Sequence, residues 1–391
     1  MKGYFADIGT QSHNKHGELL CGDHVEIVRQ SENSLVMVLA DGLGSGVKAN
    51  ILSTLTAKIL STMLANAMDI TDCVAAIVAT LPVCEVRKVA YSTFTVICVN
   101  AQLEAEIIQF DNPHVIFLRD GKSVAYPMLA QFIEGKTIYT SQIKLRENDV
   151  LMSMSDGTIH AGVGKTLNFG WLREDIISFM ECAYKDEYSA KMLTTILSEQ
   201  CMVLYGGEPG DDTTVCTIKI RRRKPVNLLM GPPANPSDVN TMMSLFFSKE
   251  GKRIVCGGTT SQLAAEYLGK PLEVDVPEYL DPEVPPMAAI EGVELVTEGV
   301  VTFSKALRYV QNYIGDNDLY ADWSRRQDGA SRIAKLLIEE ATDINFYVGR
   351  AANPAHQNPN LPIGFSIKMR LVDEMAEALK ALGKHIKVSY F

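Results

Sequence analysis

The pattern of the chain changes once, at RRRKPVN (221–227), and that change constrains the fold more than any single motif. Before it, short strand-like runs cluster in neighbouring pairs joined by turn signals. After it, strand-like and helix-like segments alternate. Clustered strands with helices grouped around them point to an α+β layered domain. Strict alternation points to an α/β domain with a mostly parallel sheet. A basic run followed by Pro225 reads as a linker, so the expected domains are 1–221 and 226–391. The 391 residues are enough for two domains of about 150–200 residues each.

In the first part, SLVMVLA (34–40) is a buried-type run ending at Asp41. YSTFTVICVN (91–100) and AEIIQFDN (105–112) read as adjacent antiparallel strands, and Asp120-Gly121 in HVIFLRDGKSVAY marks a hairpin. DVLMSMSDG (149–157) is another strand ending in Asp-Gly. TVCTIKIR (214–221) alternates, with Cys216, Ile218 and Ile220 on one side and Thr217, Lys219 and Arg221 on the other. Residues 47–68 space Ile51, Leu55, Ile59 and Met63 as one apolar helix face, with Leu52, Leu60 and Leu64 beside them. Further helices are expected at 72–82, in WLREDIISFMECAY and at 189–205. In the second part, VNLLM, RIVCGG, VELVTEG, INFYVGR and IKVSYF read as strands with helices between them. Ser237 or Asp238 is the expected cap of the first helix and Gly269 the stop of the second. AANPAHQNPNLP (351–362) reads as a turn-rich loop.

Composition narrows the function. The formal net charge is −10, from 37 Lys+Arg against 47 Asp+Glu, which argues against general binding of nucleic acid or anionic membrane. The N-terminus lacks a secretory signal pattern, and no stretch of about 18 apolar residues appears, so a cytoplasmic protein is expected. The eight cysteines form no CxxC pair and read as reduced thiols, with Cys98 and Cys216 inside apolar strands.

Four aspartates stand at turns beside strand-like runs: Asp23 in CGDHVEIV, Asp41 in ADGLGSG, Asp156 in MSDGTIHAG and Asp211 in GDDTTVCTI. Carboxylates at strand ends converge in a fold although they lie far apart in sequence. A converged set of anions needs a cation, and hard divalent ions with oxygen ligands suit it. Asp-Gly is also a common turn, so any one of these residues alone reads as a turn or cap. Together they fit a two-ion site with phosphate chemistry as its use, and Gly42 and Gly157 leave room for a backbone carbonyl to join it.

Taken in order, GD, ADGLGSG, SDG and GDDTTV resemble the metal-dependent protein phosphatases of type 2C (the PPM superfamily), and more narrowly the SpoIIE-like branch of serine/threonine phosphatases. DNPHVIFLR (111–119) and NFGWLREDI (168–176) are similar to two further segments of that branch. The resemblance covers about residues 1–221. It implies two antiparallel sheets packed face to face with helices outside, an α-β-β-α sandwich. It implies two ions, Mn²⁺ or Mg²⁺, with Asp41 as bridging ligand and Gly42 offering its carbonyl. Asp23, Asp156 and Asp211 serve as terminal ligands and Asp212 as a neighbour. Asp41 and Asp156 then act catalytically through the metals, and a metal-bridging hydroxide hydrolyses phosphoserine or phosphothreonine. The implied substrate is a phosphorylated regulatory protein similar to anti-sigma-factor antagonists, the implied assembly a homodimer, and the helix at 47–68 with its successor matches a regulatory switch.

The chain departs from eukaryotic relatives in two places. Leu43 stands where they carry a histidine proposed as the leaving-group acid, so that acid is unassigned. No early phosphate-holding arginine can be placed; Arg87 and Lys88 are the nearest basic candidates. His24 and His160 flank proposed ligands and read as surface or packing histidines. In the second domain, CGGTTSQLAAEYLG (256–269) reads either as a tight strand-to-helix turn or as an anion cradle, with VTEGVVTFSKAL (296–307) as a similar turn. That domain is expected to be regulatory or partner-binding. Two other functions remain open: a catalytically weak metal-binding scaffold or sensor in a partner-switching complex, and a small-molecule phosphohydrolase.

Overall fold

A computed structural model describes residues 3–31, 34–80, 92–275, 284–315, 317, 319–351 and 367–391. Arg87, Lys88 and the loop at 352–362 lie outside the described residues. The chain forms two compact units, Met1–Arg222 and Arg223–Phe391.

The first unit holds two antiparallel sheets. Its strands are β1 (Tyr4–His13), β2 (Asp23–Ser31), β3 (Ser34–Asp41), β4 (Thr93–Val99), β5 (Glu104–Phe110), β6 (Ile116–Arg119), β7 (Lys122–Ser123), β8 (Leu129–Ile133), β9 (Lys136–Lys144), β10 (Val150–Met154) and β11 (Thr213–Arg222). One sheet has the order β1-β11-β10-β6-β7, the other β2-β3-β4-β5-β9-β8. Asp120 and Gly121 both take positive φ, 52° and 73°, between β6 and β7, as a tight hairpin turn demands. β1 carries little signal of its own, because its second half, GTQSH, is polar. It forms by pairing with β11 along all ten residues, from Tyr4↔Arg222 to His13↔Thr213.

Apolar residues of both sheets interlock between them, among them Leu35, Met37, Ile97, Ile107, Phe117, Leu151 and Ile218. The helices are α1 (Gly46–Ala65), α2 (Ile70–Thr80), the single turn α3 (Asp156–Ile159), α4 (Arg173–Ala183) and α5 (Ala190–Leu204). α1 and α2 cover the outer face of the β3 sheet, and α4 and α5 that of the β10 sheet. The result is the four-layer α-β-β-α sandwich.

Two expectations change. β11 is buried on both faces, Lys219 and Arg221 included. Lys219 Nζ donates to the carbonyls of Asp186 and Tyr188, and Arg221 pairs with buried Asp7 at 3.2 Å, so both charges are satisfied inside the protein. On α1 the expected apolar face is split: the helix packs down on Ala49, Ser53, Thr56, Ala57 and Leu60, while Val47, Ile51 and Leu55 are exposed. Small residues let the helix lie close to the sheet, and that contact outweighs the apolar stripe.

The second unit has strands β12 (Pro225–Met230), β13 (Lys252–Cys256), β14 (Glu273–Asp275), β15 (Met287–Ala289), β16 (Leu295–Thr297), β17 (Asp343–Val348) and β18 (His385–Tyr390), in the order β14-β15-β16-β13-β12-β17-β18. The five strands from β16 to β18 are parallel, and β14 and β15 form an antiparallel edge. Its helices are α6 (Val239–Ser248), α7 (Gly258–Leu268), α8 (Val300–Ile314), the short α9 (Tyr320–Trp323), α10 (Gly329–Lys335) and α11 (Ile367–Ala381). α8, α10 and α11 pack on one face of the sheet, α6 and α7 on the other. This is a doubly wound arrangement. Asn235, rather than Ser237 or Asp238, supplies the side-chain cap before α6, and Gly269 ends α7 in the left-handed region, as expected. Among the described residues no helix is long and apolar enough to cross a membrane.

Candidate metal centre

The two sheets of the first unit end at one cluster of carboxylates. β2 begins at Asp23 and β3 ends at Asp41, and their register sets the two residues directly opposite each other. In the other sheet β10 runs out at Met154, Asp156 opens α3, and Asp211 and Asp212 lead into β11. Asp41 feels the charges of Asp23, Asp156 and Asp211, so contributions from both sheets meet on it.

The cluster is electrostatically unsettled. Asp23 and Asp212 are each 4% exposed. Both oxygens of Asp23 and Oδ2 of Asp212 are buried without a hydrogen-bond partner. Burial, followed by the charges of Asp212 and Asp156, pushes Asp23 up to about 7. The hydroxyls of Ser155 and Thr214 face it and pull the other way, but neither closes a hydrogen bond with it. Burial, then Asp23 and Asp156, pushes Asp41 up to about 9. Asp211 is raised by burial and Asp156, with Lys15 opposing. Buried carboxylates without partners cost several kcal/mol each unless neutralised. A proton or a cation satisfies them, and all-oxygen donors of this kind fit a hard divalent cation. Among the described residues no three Cys, His, Asp or Glu side chains are gathered tightly enough to hold an ion as they stand. The aspartates form a neighbourhood at the sheet ends rather than a closed ligand shell.

The glycines beside the aspartates are there for space. A Cβ on Gly42 would lie 2.1 Å from the carbonyl oxygen of Ala49, and one on Gly157 would lie 2.1 Å from that of Asp212. Only glycine lets the first turn of α1 and the start of β11 approach these corners. The Gly157 carbonyl accepts from Tyr205 Oη at 2.6 Å, which anchors α3 to α5.

The loop between β1 and β2 supplies a residue that sequence reasoning missed. Lys15 N donates to Asp212 Oδ1 at 3.0 Å, and Lys15 Nζ lies 3.8 Å from Asp211 Oδ1. His16 N to Pro209 O, Asn50 Nδ2 to Cys21 O and Ser45 Oγ to Glu18 Oε1 clip this loop in place. Among the described residues no other lysine or arginine pairs with the five aspartates. Its only sequence signal was a lysine a few residues ahead of CGD. His24 pairs with Glu26 at 3.3 Å, while His160, about half exposed, stands 3.9 Å from Asp156.

In the second unit the CGGTT segment is a tight turn. Gly257 takes φ 111°, its carbonyl accepts from Ser261 N and Oγ, and Thr260 Oγ1 accepts from Gly231 N at 3.0 Å. The hydroxyls of Thr260 and Ser261 therefore already serve the fold. Glu298 Oε2 accepts from Val301 N in the first turn of α8 at 3.2 Å.

Comparison with known proteins bears on the first unit. Residues 31–221 match the family model described as stage II sporulation protein E, SpoIIE. The first unit is a SpoIIE domain. The matched stretch includes Asp41, Asp156 and Asp211 and begins after Asp23 and Lys15. Among solved structures, the SpoIIE unit is similar to the phosphatase domain of the cell-fate determinant SpoIIE from Bacillus subtilis, with 19% identity and a TM-score of 0.45, covering 57% of this chain and 95% of that one. The RsbU and RsbW domains of Rv1364c from Mycobacterium tuberculosis give 15% identity and 0.47, covering 62% and 67%. RsbX in complex with magnesium gives 21% and 0.39, covering 55% and 96%. No curated protein matches the chain.

Proposed function

We propose that the SpoIIE unit is a metal-dependent phosphatase that hydrolyses phosphoserine or phosphothreonine on a regulatory protein. The observation that carries this reading is Asp23: two buried carboxylate oxygens without a partner, set opposite Asp41. Asp41, Asp23, Asp156 and Asp211 would hold the divalent ions, two of Mn²⁺ or Mg²⁺ on this reading, once the cluster draws in around them. The Gly42 carbonyl would be a further ligand, and Asp212, with one unpartnered oxygen, would stand as their neighbour. When bound, such ions lower the pKa of water and carry the charge that develops on phosphorus.

The protein's own groups do the rest. Asp156 and Asp211, 45% and 37% exposed, mark the open side from which a phosphate enters. A phosphomonoester dianion meets repulsion there from the aspartates, and Lys15 is the cation beside them that offsets it. Leu43 has no proton to give, so the leaving alkoxide takes its proton from water at this open side. Cys21, the nearby thiol, is pushed up to about 12 by burial and by Asp23, which keeps it protonated and unsuited to attack. Hydrolysis is then direct, without a phosphoenzyme. The substrate class we assign is a phosphorylated regulator similar to anti-sigma-factor antagonists, met in the cytoplasm by a homodimer.

The test is Mn²⁺-stimulated phosphate release from phosphoserine peptides and from a small phosphomonoester, with Asp156→Asn as control. The wild type should release phosphate from the peptides and the control should not. Full activity in the control would remove the site, and turnover of the small ester alone would move the function to small-molecule hydrolysis.

A further inference from the structure

Among the described residues of the second unit no helix covers one part of the sheet, and the residues there are unusual for a parallel sheet. Strands covered on both faces read as near-continuous apolar runs. β17 and β18 do so on one side only. Ile344, Phe346 and Val348 join the core under α8 and α11, and Ile386, Val388 and Tyr390 pack against it. The opposite side shows Asp343 beside His385, Asn345 beside Lys387 and Tyr347 beside Ser389, three cross-strand pairs set by the register. α6 and α7 cover β12, β13 and β16 on this face through Leu229, Val255 and Val296, and of β17 they take only Tyr347. What remains is a cavity of about 420 Å³, bounded also by Arg223, Pro225 and Lys249.

The charges in this groove are arranged, not scattered. Asp343 is held by Arg223 and by Thr342 Oγ1, with His385 Nδ1 3.5 Å away, so the one carboxylate among the described residues lining the groove is already neutralised. Asn345 donates Nδ2 to the fully buried Asn227 at 2.9 Å, which in turn donates to the Glu250 carbonyl. The buried Asn227 needs these partners, and its bond to the half-buried Asn345 fixes the groove wall. Lys249 Nζ and Lys387 Nζ make no hydrogen bond or ion pair with any described residue. With Arg223 they give the groove three cations against one carboxylate, in a chain whose net charge is −10.

The geometry points to a binding site for a small organic phosphate of about nucleotide size in the groove between Lys249, Asn345 and Lys387. The volume falls in the range of small-molecule sites. Two unpaired ammonium groups beside a neutralised carboxylate recognise a multiply charged phosphate. The side-chain oxygens of Asn345 and Ser389 accept from its sugar or base. This site is independent of the metal centre and of the proposed hydrolysis.

Isothermal titration calorimetry of the full chain in EDTA tests it, with sodium pyrophosphate, ATP and citrate as probes at constant ionic strength. The expected result is saturable one-to-one binding of pyrophosphate and ATP, weakened about a hundredfold in K249E/K387E. K270E/K380E, with the same change of charge elsewhere on the unit, binds as the wild type does. Acylation footprinting of the wild type needs no variant: ATP protects Lys249 and Lys387 and leaves Lys270 reactive. Absence of saturable binding, equal weakening in the control pair, citrate binding as tight as ATP, or no protection of the two lysines would each overturn the assignment.

Discussion

Asp23 and Asp328 are both buried aspartates, 4% and 6% exposed, and the protein treats them in opposite ways. Asp328 caps α10: Oδ1 accepts from Ala330 N and Ser331 N, each at 3.0 Å, and Oδ2 accepts from Ser331 Oγ at 2.7 Å. Its charge has donors on both oxygens, and the helix N-terminus adds to them. Asp23 has none. The contrast separates a carboxylate that builds the fold from one that is kept for something the polypeptide does not provide. Asp7 belongs with Asp328, since it accepts from Ala190 N and from Arg221. Buried acid is thus common in this protein, and among the described residues the buried carboxylate oxygens without donors are those of Asp23 and Oδ2 of Asp212, at the sheet ends of the SpoIIE unit.

Metal binding gives the largest effect that follows from this contrast. Asp41→Asn removes the carboxylate on which both sheets converge and should weaken Mn²⁺ binding, read by calorimetry, by about a hundredfold or more. Asp328→Ala should leave Mn²⁺ affinity unchanged. Equal loss in both variants would erase the distinction.

Stability should separate them with opposite signs. Asp328→Ala removes a cap and costs roughly 1–2 kcal/mol in chemical denaturation. Asp23→Asn removes an unpartnered charge and should stabilise the metal-free protein at pH 8. A loss of similar size in both would mean that Asp23 is an ordinary structural acid.

The pH dependence follows from the same corner. Asp23 near 7 and Asp41 near 9 lie above the usual carboxylate value of about 4, so the folded metal-free protein holds protons that the unfolded chain has released. Their contribution to stability is fully present below about pH 4 and is lost as pH rises through 7 and 9. The metal-free Tm should therefore fall between pH 5 and 9, and saturating Mg²⁺ should flatten that fall. A profile that ignores Mg²⁺ would disconnect the raised carboxylates from cation binding.

The smallest expected effect is at Lys15. Lys15→Ala should raise KM for a phosphoserine peptide about tenfold with little change in kcat or Mn²⁺ affinity, and Lys15→Arg should recover most of it. A change in kcat alone would give Lys15 a different role.

The four-layer sandwich and the doubly wound unit were legible because strand runs ending at Asp41 and Asp156, and the alternation after Pro225, are local signals. β1 was not legible, since its polar half becomes a strand only through the partner β11 provides. The α1 face was misread for a related reason: close packing of Ala49, Ser53 and Ala57 on the sheet overrides a stripe of Ile51 and Leu55. Of the site, the aspartates were visible as Asp-Gly and Gly-Asp turns. Lys15 was not, because its place beside Asp211 depends on a loop clipped by contacts nearly two hundred residues away in sequence. The groove of the second unit was invisible for the same reason: Asn345 and Lys387 meet only through the register of β17 and β18.

On the proposed function, the unpartnered Asp23 carboxylate and the raised Asp41 carboxylate opposite it would hold the divalent cations that phosphoprotein hydrolysis needs. Phosphate release from a phosphoserine peptide with and without Mn²⁺, in wild type and Asp41→Asn side by side, tests it most directly. Release should depend on Mn²⁺ and fall about a thousandfold or more in the variant. Release that persists in EDTA, or in folded Asp41→Asn at the wild-type rate, would contradict it.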